Sequence, residues 1–451
     1  MTTLNITRDL ATQLHAIRAE GLDETAKHQA KRCLLDYIGA SLGGVGMVRE
    51  KVLELLQLDE PGAQSASVIG FGTKASVQTA AWLNGITSHV AEMDDGVRFG
   101  MIHPGSPVLS ALLPAAERFQ VDAEDLLVGI VVGYEAALRL ATSIQPSHYG
   151  RGYHPTATCG SIGAAAGIGA MLNFTAEKIE HAIATAGVTA SGTLKVIGEG
   201  SELKPYNTAH AASSGLMAAM MTRAGFTGPE DALAGRGGFL SMCSEACDTE
   251  KIIKFAPDGL WIHKVYVKPY AACRHAHPAM EACLKLREKL NIQPEDVREI
   301  NIVTYGGLAG RHDQAQAQSV SAAKMSIPCS VAIAMVSGAG GVASFTEDRV
   351  QSEQVRSLAM RVHLVEDPAL TAQVPNKRTA RVTLVMQDHA QETMEVIYPK
   401  GEPENPMTDI ELEHKFLELA EFGGLSFTRA QIICRQVWDL KQSLSKLFAI
   451  L

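Results

Sequence analysis

The sequence predicts a mainly α protein, with one all-helical domain formed by both ends of the chain and a smaller α+β unit inserted between them. Three observations carry that expectation. Apolar and small residues recur at helical spacing up to about residue 266, alternation of period two appears between 267 and 399, and helical spacing returns from 400 to 451. The expected boundaries are therefore 1–266 and 400–451 for the helical domain and 267–399 for the insertion. On the first seam lies VYVKPYAACRHAHPA, residues 265–279, which gathers Lys268, Arg274, His275 and His277 with Tyr266, Tyr270 and Cys273 among apolar and small neighbours. Cations in such company need partners. The stretch is either a carboxylate-binding segment of an active site or a tyrosine-rich strand or loop with solvated cations.

In chain order, Asp23 is placed to cap a helix whose stripe is Ala26, Ala30, Leu34 and Ile38, with Gly43-Gly44 as its stop. A second helix starts after Asp122 and carries Leu126, Ile130, Val131 and Ala137 inward. Residues 156–172 and 209–221 are rich in Gly, Ala and Ser, which suits central helices whose backbones approach closely. Within the insertion a helix is expected at Pro278–Leu290, strands at 299–305, 360–367, 379–387 and 391–398, the last two as a hairpin through Asp388, His389 and Ala390, and a helix from Ala322 to Ser337. Helices close the chain from Asp409 to Glu421 and from Thr428 to Ile450.

Composition narrows the function. At 451 residues, with 46% hydrophobic and 20% charged residues, the chain has the make-up of a globular protein with a large core. A net charge of −9 supplies no basic footprint for nucleic acid or an anionic membrane, so an anionic substrate has to be caught by local cations. The eight cysteines are scattered without a CxxC pair, so no zinc site or disulfide framework is expected, and a reducing cytoplasm fits. The N-terminus lacks a secretory pattern, and the most apolar window, Leu126–Leu140, is too short to span a bilayer and is interrupted by Glu135 and Arg139.

Four further clusters carry candidate chemistry. HVAEMDDGVRFGMIHPGS, residues 89–106, sets Glu92, Asp94 and Asp95 before His103; acids near a histidine tune it for proton transfer or bind a metal, or the stretch is a polar loop at a helix end. At 151–165, His154-Pro155 stands before a helix whose expected cap is Thr156, placing the imidazole near backbone N–H groups able to receive an anion. At 200–215, Lys204 and Asn207 precede a small-residue helix that contains His210. PKGEPENPMT, residues 399–408, reads as a turn-rich exit from the insertion. No GxGxxG after a strand, no GxxxxGK[ST] and no GxSxG is present. The remaining inventory of carboxylates, histidines and lysines suits moving protons on and off carbon beside a carboxylate.

Taken together, HVAEMDD…HPG, GYHPTATCGSIGAA, KPYNTAHAASSGLMAA, VKPYAACRHAHPAMEA, KMSIPCSVAIA and KGEPENPM…KF resemble the MmgE/PrpD family, which includes 2-methylcitrate dehydratase, cis-aconitate decarboxylase and iminodisuccinate epimerase. The resemblance runs from about residue 7 to 450. It implies a helical domain with an inserted α+β lid, a homodimer, and a site between the domains that needs no cofactor and no metal. It places active-site positions on Glu92, His103, His154, Lys204 and Lys268; catalytic roles are expected for Glu92, His103, His154 and Lys268, and substrate binding for Lys204, Arg274, His277 and Asp94. Two positions depart from the family pattern: Glu92-Met93-Asp94-Asp95-Gly96 stands where dehydratases and decarboxylases show D-F-D-D-T, and Cys329 stands where the decarboxylase has a tyrosine. The activity implied is a hydro-lyase of the 2-methylcitrate dehydratase type acting on a small di- or tricarboxylic acid. An epimerase of a dicarboxylate such as iminodisuccinate, a cis-aconitate-type decarboxylase and an inactive scaffold are the alternatives.

Overall fold

A computed structural model describes residues 5–59, 65–197, 201–256, 259–440 and 443–451. The protein is mainly helical and divides into two compact units. The first comprises the chain up to Lys195, Leu203–Tyr266 and Thr408–Leu451; the second is Val267–Met407, joined by residues 196–197 and 201–202. The chain thus re-enters the helical unit at Thr408, after the turn-rich PKGEPENPM stretch rather than before it.

The helical unit is built around Pro155–Met171, buried along its whole length, with Ala123–Ile144 and Lys204–Arg223 packed against it. Small residues permit this. A Cβ at Gly215 would sit 2.5 Å from the Ser161 carbonyl oxygen, so only glycine lets the Lys204–Arg223 and Pro155–Met171 backbones meet. Ala123–Ile144 is capped by Asp122, whose side chain accepts from Asp125 N at 2.9 Å. At 22 residues it is long and apolar enough to cross a membrane, but it is buried within the unit, and Glu135 and Arg139 pair at 2.9 Å inside it. The window Leu126–Leu140 read from the sequence thus lies inside a longer, buried helix. Asp23 caps the next-to-first helix as expected, accepting from Ala26 N at 2.7 Å, but that helix runs from Glu24 to Leu56. Gly43-Gly44 is not a stop: a Cβ at Gly44 would lie 1.9 Å from the Thr87 carbonyl oxygen, so the glycine admits the neighbouring Val77–Val90 helix. The C-terminal helix Asp409–Phe422, opened by a Thr408–Glu411 capping box, returns to the first half of the chain through Lys415, whose ammonium donates to Asp36 at 2.5 Å and to the Met93 carbonyl at 2.6 Å. The expected last helix is shorter, Phe427–Trp438, with the Lys31 ammonium taking the Trp438 carbonyl at 2.8 Å, and a separate turn follows at Ser445–Phe448. A short antiparallel pair, Ala66–Val68 with Thr73–Ala75, was not anticipated.

The second unit holds a four-stranded sheet in the order Val362–Glu366, Val297–Thr304, Ala380–Met386, Gln391–Val396, the first pair parallel and the others antiparallel. The expected hairpin is present, with His389 at φ 68° in its turn. Helix His277–Leu290 packs on the last two strands. The helix expected over 322–337 is two, Val320–Met325 and Ile327–Ser337. Pro328 has no N–H to give the Lys324 carbonyl, as a continuous helix would require, and Ser326 turns out to φ −95°, ψ 126° to cap Cys329 N.

Candidate active site

In the helical unit, the end of helix Val77–Val90 brings His89 to a buried position, and the chain then passes through Glu92 at φ 55°. A glutamate in the left-handed region costs on the order of 1–3 kcal/mol and persists only where surrounding contacts impose it. Here its carboxylate is held by the Lys204 ammonium, at the start of helix Lys204–Arg223, in an ion pair with both side chains almost buried. Asp95 anchors the following turn: its carboxylate accepts from Gly105 N at 3.0 Å and from the Tyr134 hydroxyl at 2.6 Å. A Cβ at Gly105 would fall 2.6 Å from that hydroxyl oxygen, which explains the glycine of HPG. Burial, with the neighbouring acids, pushes Asp95 up to about 7 against the hydrogen bonds it accepts.

The tautomers of the two expected histidines follow from their partners. His103 Nδ1 lies 2.6 Å from the Asp95 carbonyl oxygen, which can only accept, so Nδ1 carries the proton and neutral His103 has its lone pair on Nε2. Its backbone N donates to Thr156 Oγ1 at 3.1 Å, so Thr156 is not the helix cap anticipated for it. His154 itself is the N-cap of Pro155–Met171, without a side-chain capping bond. Asn207 Nδ2 donates to the Thr193 carbonyl and lies 3.2 Å from His154 Nδ1, so Nδ1 accepts and the proton of neutral His154 sits on Nε2. Burial, reinforced by the Lys204 charge, holds His154 well below the usual histidine range. The fold thus presents two imidazoles of opposite proton state at Nε2, an acceptor in His103 and a donor in His154.

His89 was not singled out from the sequence and joins them. Its ring lies 5.1 Å from that of His103 and 6.5 Å from that of His154, its Nδ1 is 2.7 Å from Asp94 Oδ2, and its Nε2 has no hydrogen-bond partner among the described residues. Asp94 Oδ2 also accepts from Ser106 Oγ at 3.1 Å and lies 3.6 Å from His103 Nδ1. Glu92, Asp94, His103, His154 and Lys204 are therefore brought together, with Asn207 and His89 as partners. A histidine at a helix end five residues before an aspartate is the only sequence signal that marks His89.

The remaining expected residues lie in the second unit. Lys268 is fully buried there. Arg274 donates through Nε to Glu402 at 2.7 Å and through a second nitrogen to the same carboxylate oxygen, both side chains being buried. His277 begins helix His277–Leu290 and its Nε2 donates to the Ala272 carbonyl at 3.0 Å. Cys329, at the position without a phenol, is buried with its thiol 3.4 Å from the Ala315 carbonyl oxygen, and burial pushes it up.

The MmgE/PrpD N-terminal domain matches residues 8–251 and the C-terminal domain 270–440. The chain belongs to the MmgE/PrpD family. It is 27% identical to a cis-aconitate decarboxylase-like protein, oryM, of Aspergillus oryzae, over 99% of this chain and 97% of that protein. It is 25% identical to a cis-aconitate decarboxylase of Aspergillus terreus, over 98% and 94% of the two chains, and 25% identical to the cis-aconitate decarboxylase of Homo sapiens, over 98% and 91%.

Proposed function

We propose that this MmgE/PrpD protein is a lyase of the hydro-lyase type that acts on a small hydroxy di- or tricarboxylic acid by proton transfer at the carbon beside a carboxylate, without an organic cofactor. The observation that supports this reading best is the opposed pair of imidazoles: His103 offers a lone pair at Nε2 and His154 a proton at Nε2. His103 removes the proton from carbon and becomes imidazolium, His154, kept neutral by burial, donates a hydrogen bond from Nε2 to the departing hydroxyl, and the proton gained by His103 leaves with that hydroxyl as water. Charge that builds on the substrate carboxylate in that step is met by Lys204 as a carboxylate-holding cation, and the same role is proposed for Lys268 on the resemblance to the family alone. Glu92 sets the position of Lys204, Asp94 orients the imidazoles, and Arg274 and His277 shape the segment that bears Lys268.

Decarboxylation is a second reading, favoured by the names of the relatives. Against it stands Cys329, which leaves no phenol at the position where the decarboxylase pattern has a tyrosine. Epimerisation shares the first proton transfer. We also propose a cytoplasmic homodimer; all eight cysteines are free thiols, as a reducing compartment requires. Proton NMR in deuterated water with citrate, 2-methylcitrate, aconitate and iminodisuccinate tests the reaction. Loss of water with a new vinylic or methyl-allylic signal is expected; carbon dioxide release, or exchange without product, would replace the hydro-lyase assignment by one of the other two.

A further inference from the structure

The second unit contains a cluster that the proposed chemistry does not use. Cys273, His275 and His312 each direct one potential ligand atom to a common point, and these atoms lie within 4.8 Å of one another. The two imidazoles face each other with ring centroids 4.8 Å apart and planes 35° apart. Sequence spacing hid the set, because His312 follows far along the chain from the Cys-x-His pair.

The surroundings are those of ligating histidines. Each ring uses Nδ1 on an outer partner: His312 Nδ1 lies 2.7 Å from the Met325 carbonyl oxygen and His275 Nδ1 lies 2.5 Å from the Tyr305 hydroxyl. The carbonyl fixes the His312 proton on Nδ1 and its lone pair on Nε2, and a hydroxyl oxygen accepting from His275 does the same there, which is how metal-bound imidazoles are oriented. The backbone is equally constrained. Cys273 N donates to the Lys324 carbonyl at 2.8 Å, and Ile327 N donates to the His312 carbonyl at 2.8 Å, so both ligand-bearing segments are tied to the joint between helices Val320–Met325 and Ile327–Ser337.

We propose that Cys273, His275 and His312 form a three-ligand site for a borderline-soft divalent metal ion, zinc by donor type, with a fourth position open to water or an anion. Zinc bonds of about 2.3 Å to sulfur and about 2.0–2.1 Å to nitrogen place tetrahedral ligand atoms roughly 3.3–3.6 Å apart, so a pair at the 4.8 Å limit closes by roughly 1.2–1.5 Å on binding. Binding releases the thiol proton to solvent.

The test uses the full-length protein, dialysed against a chelator and titrated with Co²⁺. One Co²⁺ per chain is expected, with near-ultraviolet thiolate-to-cobalt charge-transfer absorption, d–d bands of tetrahedral intensity, and displacement by Zn²⁺. Cys273→Ser should abolish the charge-transfer band, His275→Gln and His312→Gln should each weaken binding by more than roughly tenfold, and Tyr305→Phe should weaken it by about tenfold. Cys247→Ser, an exposed cysteine of the helical unit, should leave the spectrum unchanged. Because a ligand variant can fail to fold, the wild type supplies a second readout: Zn²⁺ should slow alkylation of Cys273 and raise the melting temperature. A charge-transfer band that survives in Cys273→Ser, or absence of both wild-type effects, overturns the site. Protection of Cys273 by a polycarboxylic acid with no metal taken up assigns the cluster to anion binding instead, and likewise overturns it. All these readouts are of binding, so their failure leaves the proton-transfer reading of the helical unit standing, and the converse holds.

Discussion

Replacing His103 by asparagine separates its chemistry from its structural contact. The asparagine amide nitrogen takes the place of Nδ1 and can still donate to the Asp95 carbonyl, the 2.6 Å bond that anchors the ring, while the Nε2 lone pair is removed. Keeping that bond saves the roughly 0.5–1.5 kcal/mol that a typical hydrogen bond contributes. The unfolding free energy by urea should therefore change by no more than about 1 kcal/mol. Loss of a positioned general base removes about 10²–10⁴ of the rate, equivalent to roughly 3–5 kcal/mol of barrier. Steady-state turnover on the acid identified by NMR should fall by that factor, and His103→Gln, which loses the Nδ1 bond as well, should fall at least as far. Turnover of His103→Asn within about tenfold of wild type, or a loss that tracks unfolding, would refute the assignment of His103 as the base.

Four other outcomes follow from the same geometry. Glu92→Leu leaves the nearly buried Lys204 ammonium without this carboxylate and should destabilise by about 3–5 kcal/mol in urea melts, with Glu92→Leu/Lys204→Leu recovering much of the loss. Gly105→Ala forces the Tyr134 hydroxyl or the Asp95 carboxylate to move and should cost about 1–3 kcal/mol together with turnover, since the same turn carries His103. Lys268→Ala should raise KM as well as lower kcat if its charge already holds a carboxylate in the ground state; a change in kcat alone would assign it to the transition state only. His148 donates through Nδ1 to the Cys243 carbonyl and accepts at Nε2 from Thr158, and burial lowers it to about 4. The unfolded chain therefore takes up this proton first as pH falls. Stability is fully present above about 6.5 and declines towards pH 4, by about 3 kcal/mol for the 2.5-unit shift, and His148→Asn should flatten the pH profile by that amount.

The helical pattern, the switch to period two and the caps at Asp23 and Asp122 were legible because each is a local signal. What misled was tertiary. Gly43-Gly44 has the composition of a stop, but Gly44 is needed for the approach of Thr87, a contact no neighbouring residue announces. Pro328 broke a helix whose apolar run looked continuous, because Ser326 could cap the second half. In the candidate site, the charged residues at motif positions were visible, whereas their proton states were not. Those depend on the Asp95 carbonyl, on Asn207 and on Thr193, which come from distant parts of the chain. His89 was missed for the same reason, since only folding sets its ring against two other imidazoles. Cys273, His275 and His312 escaped a search for regular ligand spacing because a loop and a helix joint, not a sequence motif, assemble them.

The central claim is that His103 exchanges a proton with carbon beside a substrate carboxylate. The direct measurement is incorporation of solvent deuterium at that carbon, followed by NMR with the turned-over acid, for wild type and His103→Asn side by side. For the reaction run in the hydration direction from the unsaturated acid, the account predicts one solvent deuterium placed at that carbon per wild-type turnover, and loss of that incorporation by about 10²–10⁴ in the variant. Exchange that persists in His103→Asn, or wild-type turnover with no deuterium entering at carbon, would contradict it.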